Sequence, residues 1–98
     1  METFREIIAG DQLVLVDFFA TWCQPCKMMH PVLEQLKKTL GDRIRIIKID
    51  VDQNNATAHQ YQIQSVPTLI LFRKGVQVWR GSGAVSKAEL LSTIDPFL

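Results

Sequence analysis

Phe18-Phe19-Ala20-Thr21-Trp22-Cys23-Gln24-Pro25-Cys26-Lys27 organises this chain. It holds the only two cysteines, at positions i and i+3, where an apolar run gives way to a helical pattern. A thiol at a helix start lies beside unsatisfied backbone N–H groups and the positive end of the helix dipole. Both favour the thiolate, the nucleophilic form of cysteine. One helical turn brings the two Cα atoms to ~5–6 Å, inside the window a disulfide requires. The sulfurs can then be joined and parted with little backbone movement, as reversible redox chemistry needs.

Upstream, Leu13-Val14-Leu15-Val16-Asp17-Phe18-Phe19 is apolar on both alternating faces, the pattern of a central strand covered on both sides. Asp17 is the anomaly within it. Before it, Phe4, Ile7 and Ile8 share one face of a short helix that ends at Gly10-Asp11. Downstream, a helix is predicted from about Gln24 to Leu40, with Met28, Met29, Val32, Leu33, Leu36 and Leu40 as its apolar stripe and Gly41 closing it. Pro31 removes one of its hydrogen bonds and should kink it. Ile44 to Val51 is the next strand. Asp52 to Tyr61 reads as a cap and a short helix, and Gln62 to Pro67 as a connection. Thr68 to Phe72, a turn at Arg73-Lys74-Gly75, and Val76 to Arg80 form a hairpin, with Gly81-Ser82-Gly83 as a loop after it. Ser86 caps the last helix, with Glu89 at the capping-box position. The order α-β-α-β-α-β-β-α predicts an α/β fold with a four-stranded mixed sheet, flanked by helices on both faces.

The 98 residues fit one domain, 1–98, with an ordinary apolar fraction and no repeat, linker or low-complexity tract. A formal net charge of +1 and scattered basic residues carry no signature of nucleic acid or membrane-surface binding. The longest apolar run is too short to span a bilayer, and the start Met-Glu-Thr-Phe-Arg-Glu is unlike a signal peptide. A cytoplasmic location is the expectation, where a catalytic disulfide is acceptable and a stable structural one is disfavoured.

A Cys-x-x-Cys after a strand and at a helix start, inside a β-α-β unit, points to redox chemistry. The pattern extends well beyond it. Val16-Asp17-Phe18, Ala20-Thr21-Trp22-Cys23, Pro25-Cys26-Lys27-Met28, Pro31, Ile49-Asp50-Val51-Asp52, Val66-Pro67-Thr68 and the Gly83 region together resemble the thioredoxin family in order and spacing. Three features depart from it. Gln24 replaces the usual glycine between the cysteines, and Phe19 stands where bacterial members often have a second tryptophan. The usual first strand has no counterpart, so Ile44 to Asp50 should lie at an open edge, with Arg43, Arg45 and Lys48 discouraging edge pairing.

The resemblance implies a protein-disulfide reductase acting on disulfide-containing proteins, recharged by a thioredoxin reductase, monomeric and free of bound cofactor. No dinucleotide-binding glycine motif is present. Cys23 becomes the attacking thiolate and Cys26 the resolving thiol. Burial should raise the pKa of Asp17. The family pattern makes Asp17 the proton acceptor and donor behind Cys26, through water, with Lys48 as its partner on the next strand. It also implies a cis peptide before Pro67, leaving the backbone of Val66 free to pair with an extended substrate segment. Trp22, Gln24, Pro25, Ser65, Val66, Gly83 and Ala84 would border that docking surface.

Other readings of the same residues are an inert core pair, a zinc site and haem attachment. Zinc would need His30 and His59 beside the cysteines, and His59 belongs to another element. Haem attachment needs histidine where Lys27 stands. At the level of function, the alternatives are a disulfide oxidase or isomerase, and a redox-silent binding module. Trp79 reads as hairpin packing, Met28 and Met29 as helix core or its border, and His59 as a solvated residue.

Overall fold

The computed structural model describes residues 1–98. Its regular elements are α1 (Phe4–Ala9), β1 (Leu13–Phe19), α2 (Gln24–Leu40), β2 (Ile44–Asp50), α3 (Asn55–Gln60), β3 (Thr68–Arg73), β4 (Val76–Ser82) and α4 (Lys87–Ile94). Single 3-10 turns follow α2 at Gly41–Arg43 and α4 at Asp95–Phe97.

The strands form one sheet in the order β2-β1-β3-β4. β1 runs parallel to β2 and antiparallel to β3, and β3 and β4 form an antiparallel hairpin. Period-two alternation sorts the side chains between two layers. Leu13 and Leu15 of β1 meet Ile44, Leu69 and Leu71 beneath Met29, Leu33, Leu36 and Leu40 of α2 and Leu90 and Ile94 of α4. Val14, Val16 and Phe18 turn the other way, with Ile70, Phe72 and Ile8, and Phe4, Ile7, Tyr61 and Ile63 pack onto them. β1 is therefore buried on both sides, as its apolar run predicts, and helices cover both faces. No helix is long and apolar enough to cross a membrane.

Local chemistry sets the element ends. Thr3 and Glu6 form a capping box at α1. α2 has Cys23 as its N-cap and Pro25 in its first turn, and ends at Gly41, where φ is +57°. It continues through Pro31. Met28 departs from the predicted stripe: it is exposed, one residue out of phase with the buried Met29 and Leu33. The hairpin turn consists of Lys74 and Gly75, both at positive φ, which suits the twist of the flanking strands. Gly81 and Ser82 belong to β4 and not to a loop, because Leu69 and Thr68 pair with them in register. Gly81 lies under the half-buried Trp79, whose ring a Cβ there would meet at 2.6 Å. Ser86 accepts from the Glu89 N–H to start α4. The Glu89 carboxylate meets the Ser86 hydroxyl and not its backbone N–H, so the capping box is half formed.

Candidate active site

The parallel β1–β2 pair brings the C-terminal end of the central strand to the start of α2. Cys23 and Cys26 are joined there by a disulfide with a Cα–Cα distance of 5.3 Å. Cys23 caps the helix, and its sulfur accepts the Cys26 N–H at 3.2 Å. One of the orphan backbone donors of the first helical turn thus points at this sulfur. Both cysteines are buried, Cys26 entirely and Cys23 at 4% exposure, and they pack with Ala20, Phe19, Val51 and Val66. Gln24 and Pro25, between them, are exposed.

Three segments surround the disulfide. In the first, the Val66–Pro67 peptide is cis and Pro67 is buried. The Val66 N–H and C=O take no part in the intramolecular backbone hydrogen bonding. The Pro67 carbonyl accepts from the Gly83 N–H at 2.9 Å, which ties the proline loop to the segment after β4. Gly83 has φ +91°, a conformation L side chains rarely adopt. Ser65, Gly83 and Ala84 are exposed and Val66 half-buried. In the second, Trp22 stands 70% exposed, and its Nε1–H donates to Asp52 Oδ2 at 3.0 Å. Asp52 is thus a partner of the tryptophan and not a helix cap. Asp50 holds that turn instead, accepting from the Asp52 N–H. A shallow cavity of about 170 Å³, lined by Trp22, Val51, Ile63, Gln64, Ser65 and Val66, opens between these two segments.

The third is β1, on which Asp17 lies. Asp17 is fully buried, and neither carboxylate oxygen has a hydrogen-bond partner. Burial pushes its pKa up to about 6, against the opposing pull of the Lys48 charge. Lys48 sits opposite Asp17 in the β1–β2 register, but its side chain is exposed and forms no ion pair with the carboxylate. Its influence reaches Asp17 through space. No three histidine, cysteine or acidic side chains converge in a way that could hold a metal ion. His30 is on α2 near the site and the exposed His59 is on α3. Sequence reasoning missed Asp52 as the tryptophan's partner, since a contact across 30 positions leaves no local signal.

A buried, disulfide-bonded cysteine pair at a helix start, beside a cis-proline loop, defines a thiol–disulfide oxidoreductase. The thioredoxin family model matches residues 1–96. A thioredoxin-like protein of Synechocystis is 49% identical over 96 residues, 97% of this chain and 91% of that protein. A protein of Mycobacterium leprae described as a bifunctional thioredoxin reductase/thioredoxin is 46% identical over 88 residues, 90% of this chain but only 19% of that longer protein. Among solved structures, a malaria parasite thioredoxin-2, described as a component of the parasite's protein secretion machinery, superposes with a TM-score of 0.85 and 33% identity. That match covers 87% of this chain and 82% of the other. The chain belongs to the thioredoxin family, with its Cys-Gln-Pro-Cys pair at the family's redox position, and acts as a protein-disulfide reductase.

Proposed function

We propose that Cys23 is the attacking thiolate and Cys26 the resolving thiol of this reductase, in a single functional unit spanning residues 1–98. The observation that carries the reading is the position of Cys23 as N-cap of α2, with its sulfur aimed at a backbone N–H. The same donor that meets the sulfur in the disulfide stabilises the charge of the thiolate.

The Cys23 thiolate attacks one sulfur of a substrate disulfide, and the other substrate sulfur leaves as a thiolate that takes a proton from water. Cys26 gives its proton to Asp17 and attacks Cys23. The Cys23–Cys26 bond forms, the second substrate sulfur is released, and two electrons have passed to the substrate. Asp17 suits this role because its pKa of about 6 lies close to working pH, where a carboxyl both accepts and returns a proton. Lys48 modulates that value by its charge. The substrate chain lies extended against Trp22, Gln24, Pro25, Ser65, Gly83 and Ala84. It pairs with the free N–H and C=O of Val66, held in place by Pro67.

A thioredoxin reductase restores the dithiol, making the protein an electron carrier. The fusion described for the M. leprae relative supports such a partner. The protein works as a cytoplasmic monomer on disulfide-containing proteins and needs no bound cofactor, its redox group being its own disulfide. Turbidimetric reduction of insulin tests the reading. Cys23→Ser should abolish activity, while Cys26→Ser should accumulate a mixed disulfide with the substrate. Insulin reduction that survives Cys23→Ser would sink it.

A further inference from the structure

Two side chains bury polar atoms without a hydrogen-bond partner: Asp17 through both carboxylate oxygens, and His30 through Nδ1. An unsatisfied buried polar atom costs about 1–3 kcal/mol, so two residues carrying them in one layer call for a reason. The layer is the same. Leu13 and Leu15 of β1 face α2, so alternation turns Asp17 and Phe19 the same way. The Phe19 ring meets the His30 imidazole edge-on at 5.6 Å between centroids. Residues i and i+2 of a strand lie roughly 7 Å apart, which places Asp17 one step along the same face. Cys26 is one turn before His30 on α2, so the two share a side of that helix. Lys48 from β2 and Glu34 from α2 act on the imidazole by their charge, while Asp17 lies on the α2-facing side of β1 and Cys26 one turn back on α2.

We propose that His30 carries the Asp17 proton between the buried dithiol and solvent, exchanging one tautomer for the other as the disulfide closes and opens. The inference rests on the reading of Asp17 as proton acceptor for Cys26. As the disulfide closes, Cys26 gives a proton to Asp17, and Asp17 passes it to Nδ1 through water. Nε2, which is not sealed and has no protein partner, releases its proton to solvent, leaving the Nδ1–H tautomer. When an external dithiol reopens the bond, two electrons enter it. Nε2 then takes a proton from water, Nδ1 returns one to Asp17, and Cys26 recovers it. One full cycle restores both the proton count and the tautomer. A ring that is neutral at pH 7 is required. Burial, aided by the Lys48 charge, holds the imidazole pKa below its ordinary value, with Glu34 opposing them.

The deciding measurement is the 15N spectrum of the His30 ring at pH 7, in protein oxidised by a small disulfide and in protein reduced by dithiothreitol. The protonated nitrogen should switch from Nε2 to Nδ1 on oxidation, and the switch should vanish in Asp17→Asn. In His30→Gln, insulin reduction should become dependent on buffer concentration, with free imidazole restoring the rate. His30→Phe, which keeps a ring against Phe19, should behave like His30→Gln, separating proton carriage from packing. A single tautomer in both redox states, or a His30→Gln protein whose rate ignores buffer, overturns the proposal. If instead Asp17→Asn keeps the wild-type rate and pH profile, the reading of Asp17 itself fails, whatever the tautomer spectra of the wild-type protein show.

Discussion

Asp17 is a carboxylic acid held in a strand with apolar neighbours above and below, and no protein group donates a hydrogen bond to it. Its ordinary pKa of 3.8 rises to about 6, so folding favours the protonated form. The stability this contributes is complete below 3.8 and is lost as pH rises through 6. A shift of that size corresponds to at most about 3 kcal/mol. Asp17→Asn removes the charge, so denaturant melts should show the variant more stable than wild type at pH 8, by up to about 3 kcal/mol, with the gain vanishing at pH 3.5. Turnover should fall at the same time. A variant clearly less stable at pH 7 would reject this account. Asp17 stood out in the sequence because a charge inside an apolar run is expensive. Asp52 did not stand out, because an aspartate after a strand reads equally well as a cap. Only its contact with Trp22 separates the two readings.

At the scale of elements, the site is a meeting of α2 with two connections. The helix was legible: its start at the cysteine pair and its end at Gly41 follow from capping rules that act within a few residues. Met28 was misplaced because apolar character at a helical position says nothing about which neighbour covers it, and no element packs over that side. The reach of β4 to Ser82 was also hidden, since its last pairs depend on β3 lying alongside. The link between these connections is one hydrogen bond, from the Gly83 N–H to the Pro67 carbonyl. Gly83→Ala should destabilise the protein by about 1–2 kcal/mol, because a Cβ at positive φ clashes with the backbone. It should also raise the KM for insulin more than it lowers kcat, by loosening the proline loop. Unchanged melting and unchanged KM would remove Gly83 from the docking surface.

On the scale of the whole molecule, β2 is an outer strand whose free edge carries unpaired backbone groups. Arg45 on that strand binds Glu2 through both guanidinium arms, and Lys48 is exposed farther along. Such charges deter edge-to-edge pairing. Replacing Arg43 and Arg45 together by threonine should therefore increase self-association, visible as concentration-dependent light scattering, while a variant that stays as dispersed as wild type would show that the edge is guarded by other means. Element order, the doubly covered central strand and the cysteine pair at a helix start were readable from the chain before any fold was known. Periodicity, capping and turn chemistry act over a few residues and are written in the chain one after another. Only the packed chain shows that Trp22 leans on Asp52, that Lys48 acts on Asp17 without touching it, and that His30 and Asp17 lie in one layer. Those relations join residues distant in the chain, and only strand register and helix packing set the distances between them.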